Sequence, residues 1–302
     1  MRARSSTFDP QTWHDVNRLL IIGLILVACE ANPADLILCG GVQVSVISLQ
    51  KPTTPKWAWV AGDSPSIPAE FRAKFRSTDE CKSYSGGLLL ITSSSGGVAL
   101  IDRETKKCLF LAESRNAHSA CLLPDRQIAV AASYGGDEIQ FFDRKDQQRP
   151  AKPVQTIPFR GAHGTVFDAD RNCLWTLGDS ELAQLTRRKN GHWSIKSALK
   201  LPTQGGHDLS RVHDGRQLYV TSGTQVLVFD REQETFAVHP TIGDRLKVKS
   251  VDRHPETGRI VFHQGTQNTW WSDTILFVGG NPVKLPNARL YKVRWDIPRR
   301  IP

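Results

Sequence analysis

The sequence predicts an all-β chain built from repeated sheets and closed on itself, and three observations carry that prediction. A unit recurs with a period of a little over 40 residues, helical periodicity is lacking, and the two ends each hold a fragment that completes the other. The clearest copies of the unit are LLLITSSSGGVALIDR at 88–103, IAVAASYGGDEIQFFDR at 128–144 and LYVTSGTQVLVFDR at 218–231. Each is a β run, a Gly/Ser turn and a second β run ending in Asp-Arg. Weaker copies begin at Leu174 and Arg259. The first β runs start at Leu88, Ile128, Leu174, Leu218 and Ile260, at intervals of 40, 46, 44 and 42 residues. Several short strands per unit at a steady period of this length predict a β-propeller.

The ends complete the count. Residues 36–61 supply three strands of one blade without an inner strand, and residues 290–295 (LYKVRW) form an orphan strand at the other terminus. Joining them gives a sixth blade and removes the exposed edges that a linear array would leave. The expected organisation is therefore a single six-bladed propeller over 35–296, with a C-terminal tail at 297–302. The stretch from Gly62 to Arg76, containing Pro65 and Pro68, is expected to be a surface loop between blades.

The N-terminal residues point to a compartment. Arg2, Arg4 and Arg18 precede the nine-residue apolar run Leu19 to Val27, which ends in Ala28-Cys29. Nine residues are too short for a membrane span, which needs about 20. A basic segment, a short apolar core and a small boundary residue describe a secretory signal peptide over 1–28, followed by a short linker at 29–34. Leu26-Val27-Ala28-Cys29 also resembles a bacterial lipobox, which would make Cys29 an acyl site. The chain is then expected outside the cytoplasm: periplasmic, extracellular or lipid-anchored at the envelope, touching a membrane only through that anchor. Past residue 28 the chain carries 36 Lys+Arg against 28 Asp+Glu with no basic run, which argues against nucleic-acid binding. Cys39, Cys81, Cys108, Cys121 and Cys173 show neither C-x-x-C nor zinc spacing and read as small core residues. Nucleophile elbow, dinucleotide loop and haem-attachment motifs are absent.

In a propeller the first strand of each blade lines the central channel, so equivalent positions converge. His163 and His207 each lie 11 residues before the next β run, Lys249 lies 11 before Ile260, and His118 lies 10 before Ile128. Three consecutive blades thus place an imidazole at one structural position. Three imidazoles can hold one divalent metal ion, act as general acid or base, or simply hydrogen-bond channel water. Lys249, Lys292 and Arg294, with Lys82 opposite, add positive charge that suits an anion. Asp208 and Glu80 are the acids placed to orient a histidine or complete a metal site.

The ordered segments DECK, AHSA, AHG, GGHDL, VKS and YKVRW resemble a family of secreted bacterial six-bladed propellers of unknown function, across residues 34–296. The resemblance implies the fold and export, and lends no activity. Propeller lyases such as oligogalacturonate lyase are similar at the level of fold only. The expected function is a monomeric exported propeller that binds an acidic saccharide or other anionic small molecule at the channel mouth. A metal-dependent lyase on acidic saccharides and a protein-interaction scaffold are the alternatives.

Overall fold

The computed structural model describes residues 35–145, 149–212 and 215–302, so the signal peptide, the linker and Cys29 lie outside the described residues. Six four-stranded antiparallel sheets make the six blades. From channel to rim, the first blade pairs Lys292–Trp295, Leu36–Gly40, Gln43–Ser48 and Lys51–Val60. The second contains Thr78–Tyr84, Leu88–Ser93, Gly97–Asp102 and Cys108–Glu113, and the third Ala117–Leu122, Gln127–Ala132, Glu138–Asp143 and Gln155–Pro158. Gly164–Asp168, Cys173–Leu177, Glu181–Arg187 and Trp193–Lys200 form the fourth. Asp208–Arg211, Gln217–Thr221, Val226–Asp230 and Thr235–Val238 form the fifth, and Val248–Arg253, Ile260–Gln264, Thr274–Phe277 and Val283–Lys284 the sixth.

The middle strands are buried on both faces, because each blade packs between two others. Six apolar clusters, one at each blade junction, replace a single central core. This is why the repeats read as continuous apolar runs such as IAVAA rather than as alternation. The rim strands are more exposed, except Cys108–Glu113, which stays largely buried and apolar. Lys51–Val60 carries Pro52, Pro55, Lys51 and Lys56, which deny a neighbouring molecule a clean edge to pair with.

Closure follows the expected route. Leu36, Ile37, Leu38 and Cys39 pair in register with Trp295, Arg294, Val293 and Lys292. Gly40 ends that strand against the backbone that leads into the closing strand, where a Cβ would lie 1.8 Å from the Arg289 carbonyl oxygen. Only glycine fits there.

One local expectation fails. Residues 62–76 are not a surface loop but a folded cap, with a short helix at Ala69–Arg72 and single 3₁₀ turns at Ala61–Asp63 and Ala73–Phe75. Its apolar residues Ile67, Phe71 and Phe75 are buried in the cluster between the first two blades, with Phe75 edge-on to Trp59 at 5.4 Å. The prolines mark turns around a segment whose apolar residues had already provided a reason to bury it. The five described cysteines are all buried and unpaired.

Candidate functional site

The inner strand of every blade has one edge that no strand pairs, and its amide groups need other acceptors. In three blades, side chains of the preceding blade supply some of them. Thr165 N donates to Ser119 Oγ (3.2 Å), Val251 N to Asp208 Oδ2 (3.1 Å), Val293 N to Ser250 Oγ (2.9 Å) and Trp295 N to Asp252 Oδ2 (2.9 Å). Much of the polarity of these strands therefore serves the ring itself.

At the channel centre lies a sealed ionic lock. The Arg294 guanidinium donates to Glu80 Oε1 (2.5 Å) and to both oxygens of Asp208 (2.5 and 2.8 Å), spanning blades one, two and five. Lys82 Nζ sits 3.2 Å from Glu80 Oε2 and donates to Ser119 Oγ, Ala120 O and Thr165 O. Lys292 Nζ lies 3.1 Å from Asp208 and 3.7 Å from Glu80. All five charged residues are buried. The surrounding cations hold both carboxyls below the usual carboxylate range, against a burial effect that alone would raise them. Lys82, expected to add positive charge for an anion, is thus held inside the lock. Glu80 and Asp208 answer the lock's cations and orient no histidine.

At the end of the channel where the inner strands begin, six residues occupy equivalent places, one per blade: Asp79, His118, His163, His207, Lys249 and Tyr291. In three blades the register slips by one residue there, leaving Asp79, His118 and Lys249 as the extra, bulged residues. A bulge re-aims a side chain. The His118 and His163 rings stack at 4.0 Å between centroids, and His207 meets His163 edge-on at 5.1 Å. Tyr291 packs 5.8 Å from His118, and Asp79 Oδ1 lies 3.1 Å from His118 Nδ1.

The hydrogen bonds run in one direction. Lys249 Nζ can only donate, and at 3.0 Å it meets His207 Nε2, which must accept. Neutral His207 then carries its proton on Nδ1, 3.5 Å from His163 Nε2, and His163 in turn donates from Nδ1 to Ser133 Oγ at 2.7 Å. These tautomers follow from the network. Burial pushes the His207 pKa down to about 3, helped by the Lys249 charge, and holds His163 well below its ordinary value. Burial also lowers Lys249 to about 8, with Lys247 and Lys292 adding repulsion. Both imidazoles are therefore neutral at pH 7 while Lys249 is mostly charged.

The structure brings His118, His163, His207 and Lys249 together and places Glu80, Lys82, Asp208, Lys292 and Arg294 in the lock beneath them. Among the described residues, no group of three His, Cys, Asp or Glu side chains is placed to hold a metal ion. Two of the three imidazoles stack face to face, and both His163 nitrogens face hydrogen-bond partners, so the three do not point donors at one shared centre. Sequence reasoning missed Asp79, Tyr291 and Ser133. Asp79 stands in the DECK segment at the equivalent place, and its offset to the next β run is shortened by the tight hairpin between Tyr84 and Leu88. Ser133 lies in a hairpin turn, where nothing in the sequence marks it.

Solved structures share the fold. A candidate 6-phosphogluconolactonase from Bacteroides uniformis superposes with a TM-score of 0.57 at 13% identity, covering 86% of this chain and 82% of its own. A protein of unknown function from Bacteroides caccae gives a TM-score of 0.60 at 12% identity, over 87% of this chain and 98% of its own. Among curated proteins, none matches the sequence. Residues 42–301 match the profile of the family of unknown function DUF6528, and the chain belongs to that family.

Proposed function

We propose that this propeller binds a small organic anion, of the acidic saccharide or carboxylate metabolite class, at the channel end lined by His118, His163, His207 and Lys249. The observation that carries the reading is Lys249. Its side chain is 6% exposed, and the one partner its ammonium finds among the described residues is the neutral His207. A nearly buried cation is stable only when paired, and here the pairing charge is left for a ligand. The half-buried His207 and its neighbour His118 supply polar edges beside it. The signal-like segment at 1–28 supports a place outside the cytoplasm, and the solvated rim strands support a monomer.

Calorimetric titration with galacturonate, using glucose as the neutral control, tests the reading. The wild-type chain binds the uronate, and Lys249→Met weakens it by about 1.5–3 kcal/mol, the usual contribution of a hydrogen bond to a charged group. Equal affinity in the two proteins would sink the reading.

A second reading rests on the same lysine. With its pKa at about 8, part of Lys249 is free amine at neutral pH and can accept the proton α to a bound carboxylate as the glycosidic oxygen on the β carbon departs and a carbon–carbon double bond forms. This would make the site lyase-like without a metal. Incubation with oligogalacturonate checks it: an unsaturated, ultraviolet-absorbing product supports the reading, and unchanged substrate refutes it.

A further inference from the structure

At the opposite end of the channel, beyond the lock, the structure holds a half-enclosed cavity of about 570 Å³. Residues 297–302 border it as a strap. The strap pairs with the end of the inner strand Thr78–Tyr84, Arg299 N donating to Ser83 O (2.9 Å) and Ser85 N to Arg299 O (2.8 Å). These backbone bonds fix Arg299 at the cavity, yet its guanidinium makes no hydrogen bond or ion pair among the described residues. Arg211, also on the lining, has among the described residues a loose contact of 3.8 Å with the exposed Asp170. Leu122, Val166, Phe167 and Pro255 give the lining its apolar part, with Pro298 on the strap itself. Asp252 is the buried carboxyl here. It accepts the Trp295 amide, and burial raises its pKa to about 6 against the pull of the Arg294 charge.

We infer that this cavity is a second binding site, taking a small organic acid whose carboxylate meets Arg299 and whose apolar body lies against Val166 and Phe167. A guanidinium presents a planar fork that matches a carboxylate with two parallel bonds. The volume is that of an ordinary small-molecule pocket, about 300–1,000 Å³. The lock separates this site from the imidazole end, so it stands independently of the reading given there.

The test uses the full chain and three probes: hexanoate, hexanamide and sulfate. Hexanoate binds, hexanamide does not, and sulfate competes only weakly. Arg299→Gln, which leaves the strap's backbone bonds intact, weakens hexanoate at least tenfold, while Lys56→Ala on the exposed rim leaves it unchanged. The inference is overturned if hexanoate fails to bind or binds Arg299→Gln as tightly as the wild type. It is equally overturned if Lys249→Met abolishes binding, which places the probe at the other end, or if sulfate displaces hexanoate at equal concentration, which makes the apolar wall irrelevant.

Discussion

The imidazole ring and the ionic lock are adjacent layers of one channel, drawn from the same six inner strands and often from consecutive residues: Asp79 and Glu80, His207 and Asp208, Tyr291 and Lys292. In the lock each carboxylate meets two or more cations, and Lys82 has three oxygen acceptors besides Glu80. One layer up, Lys249 is nearly as buried and, among the described residues, meets only a neutral ring. Residue type does not separate a structural layer from a binding layer here. The accounting of partners does: a saturated cation holds the fold together, and an unsaturated one is available to a ligand.

That contrast can be broken most severely by removing residues 290–302. The deletion takes away Lys292 and Arg294 together with the partner of Leu36–Gly40, and the expected result is no cooperative thermal transition by circular dichroism. Less drastic is a matched pair of substitutions. Arg294→Met leaves Glu80 and Asp208 buried with reduced pairing and should cost about 3–5 kcal/mol in urea denaturation, whereas Lys249→Met removes an ill-paired buried charge and should be neutral or stabilising. Equal losses in the two variants would erase the distinction between the layers.

Acid sharpens it further. His207 and His263 have native pKa values lowered to about 3 and about 4 from 6.5, and His163 is lowered as well. The unfolded chain therefore binds more protons than the native one below pH 6.5, so stability is full above that value and falls as pH descends toward 4. His207→Gln should flatten part of that slope. At the alkaline end, uronate affinity should fall by about tenfold per pH unit once Lys249 deprotonates above pH 8, and Lys249→Arg should carry binding to higher pH. The smallest effect belongs to the exposed rim pair of Lys56 and Asp35, where Lys56→Ala should change stability by about 0–1 kcal/mol.

The fold was legible because the repeat is written in apolar runs. The expected starts at Leu88, Leu218 and Ile260 fall at or within one residue of observed strand starts, as do Ile128 and Leu174. The terminal pairing was readable because each end lacked what the other had. The convergence of His118, His163, His207 and Lys249 was readable from register, since equal offsets around a ring bring residues to one axis. The lock was not. Whether Lys82 or Arg294 turns toward a ligand or a carboxylate depends on contacts across the channel, between residues up to 214 positions apart. The bulges at Asp79, His118 and Lys249 were also hidden, because a single extra residue in a strand looks the same in sequence as a slightly longer hairpin.

The closing strand also sets a clock. Glu80 is made 214 residues before Arg294, and at roughly 5–20 residues per second of synthesis that is a wait of about 10–40 seconds. Until the last turns of the chain emerge, Glu80 of the second blade has Lys82 alone, Asp208 of the fifth has neither Lys292 nor Arg294, and the first blade lacks its innermost strand. Nascent chains stalled before residue 290 should therefore stay open to protease throughout. Those released with the closing strand should become resistant in one step.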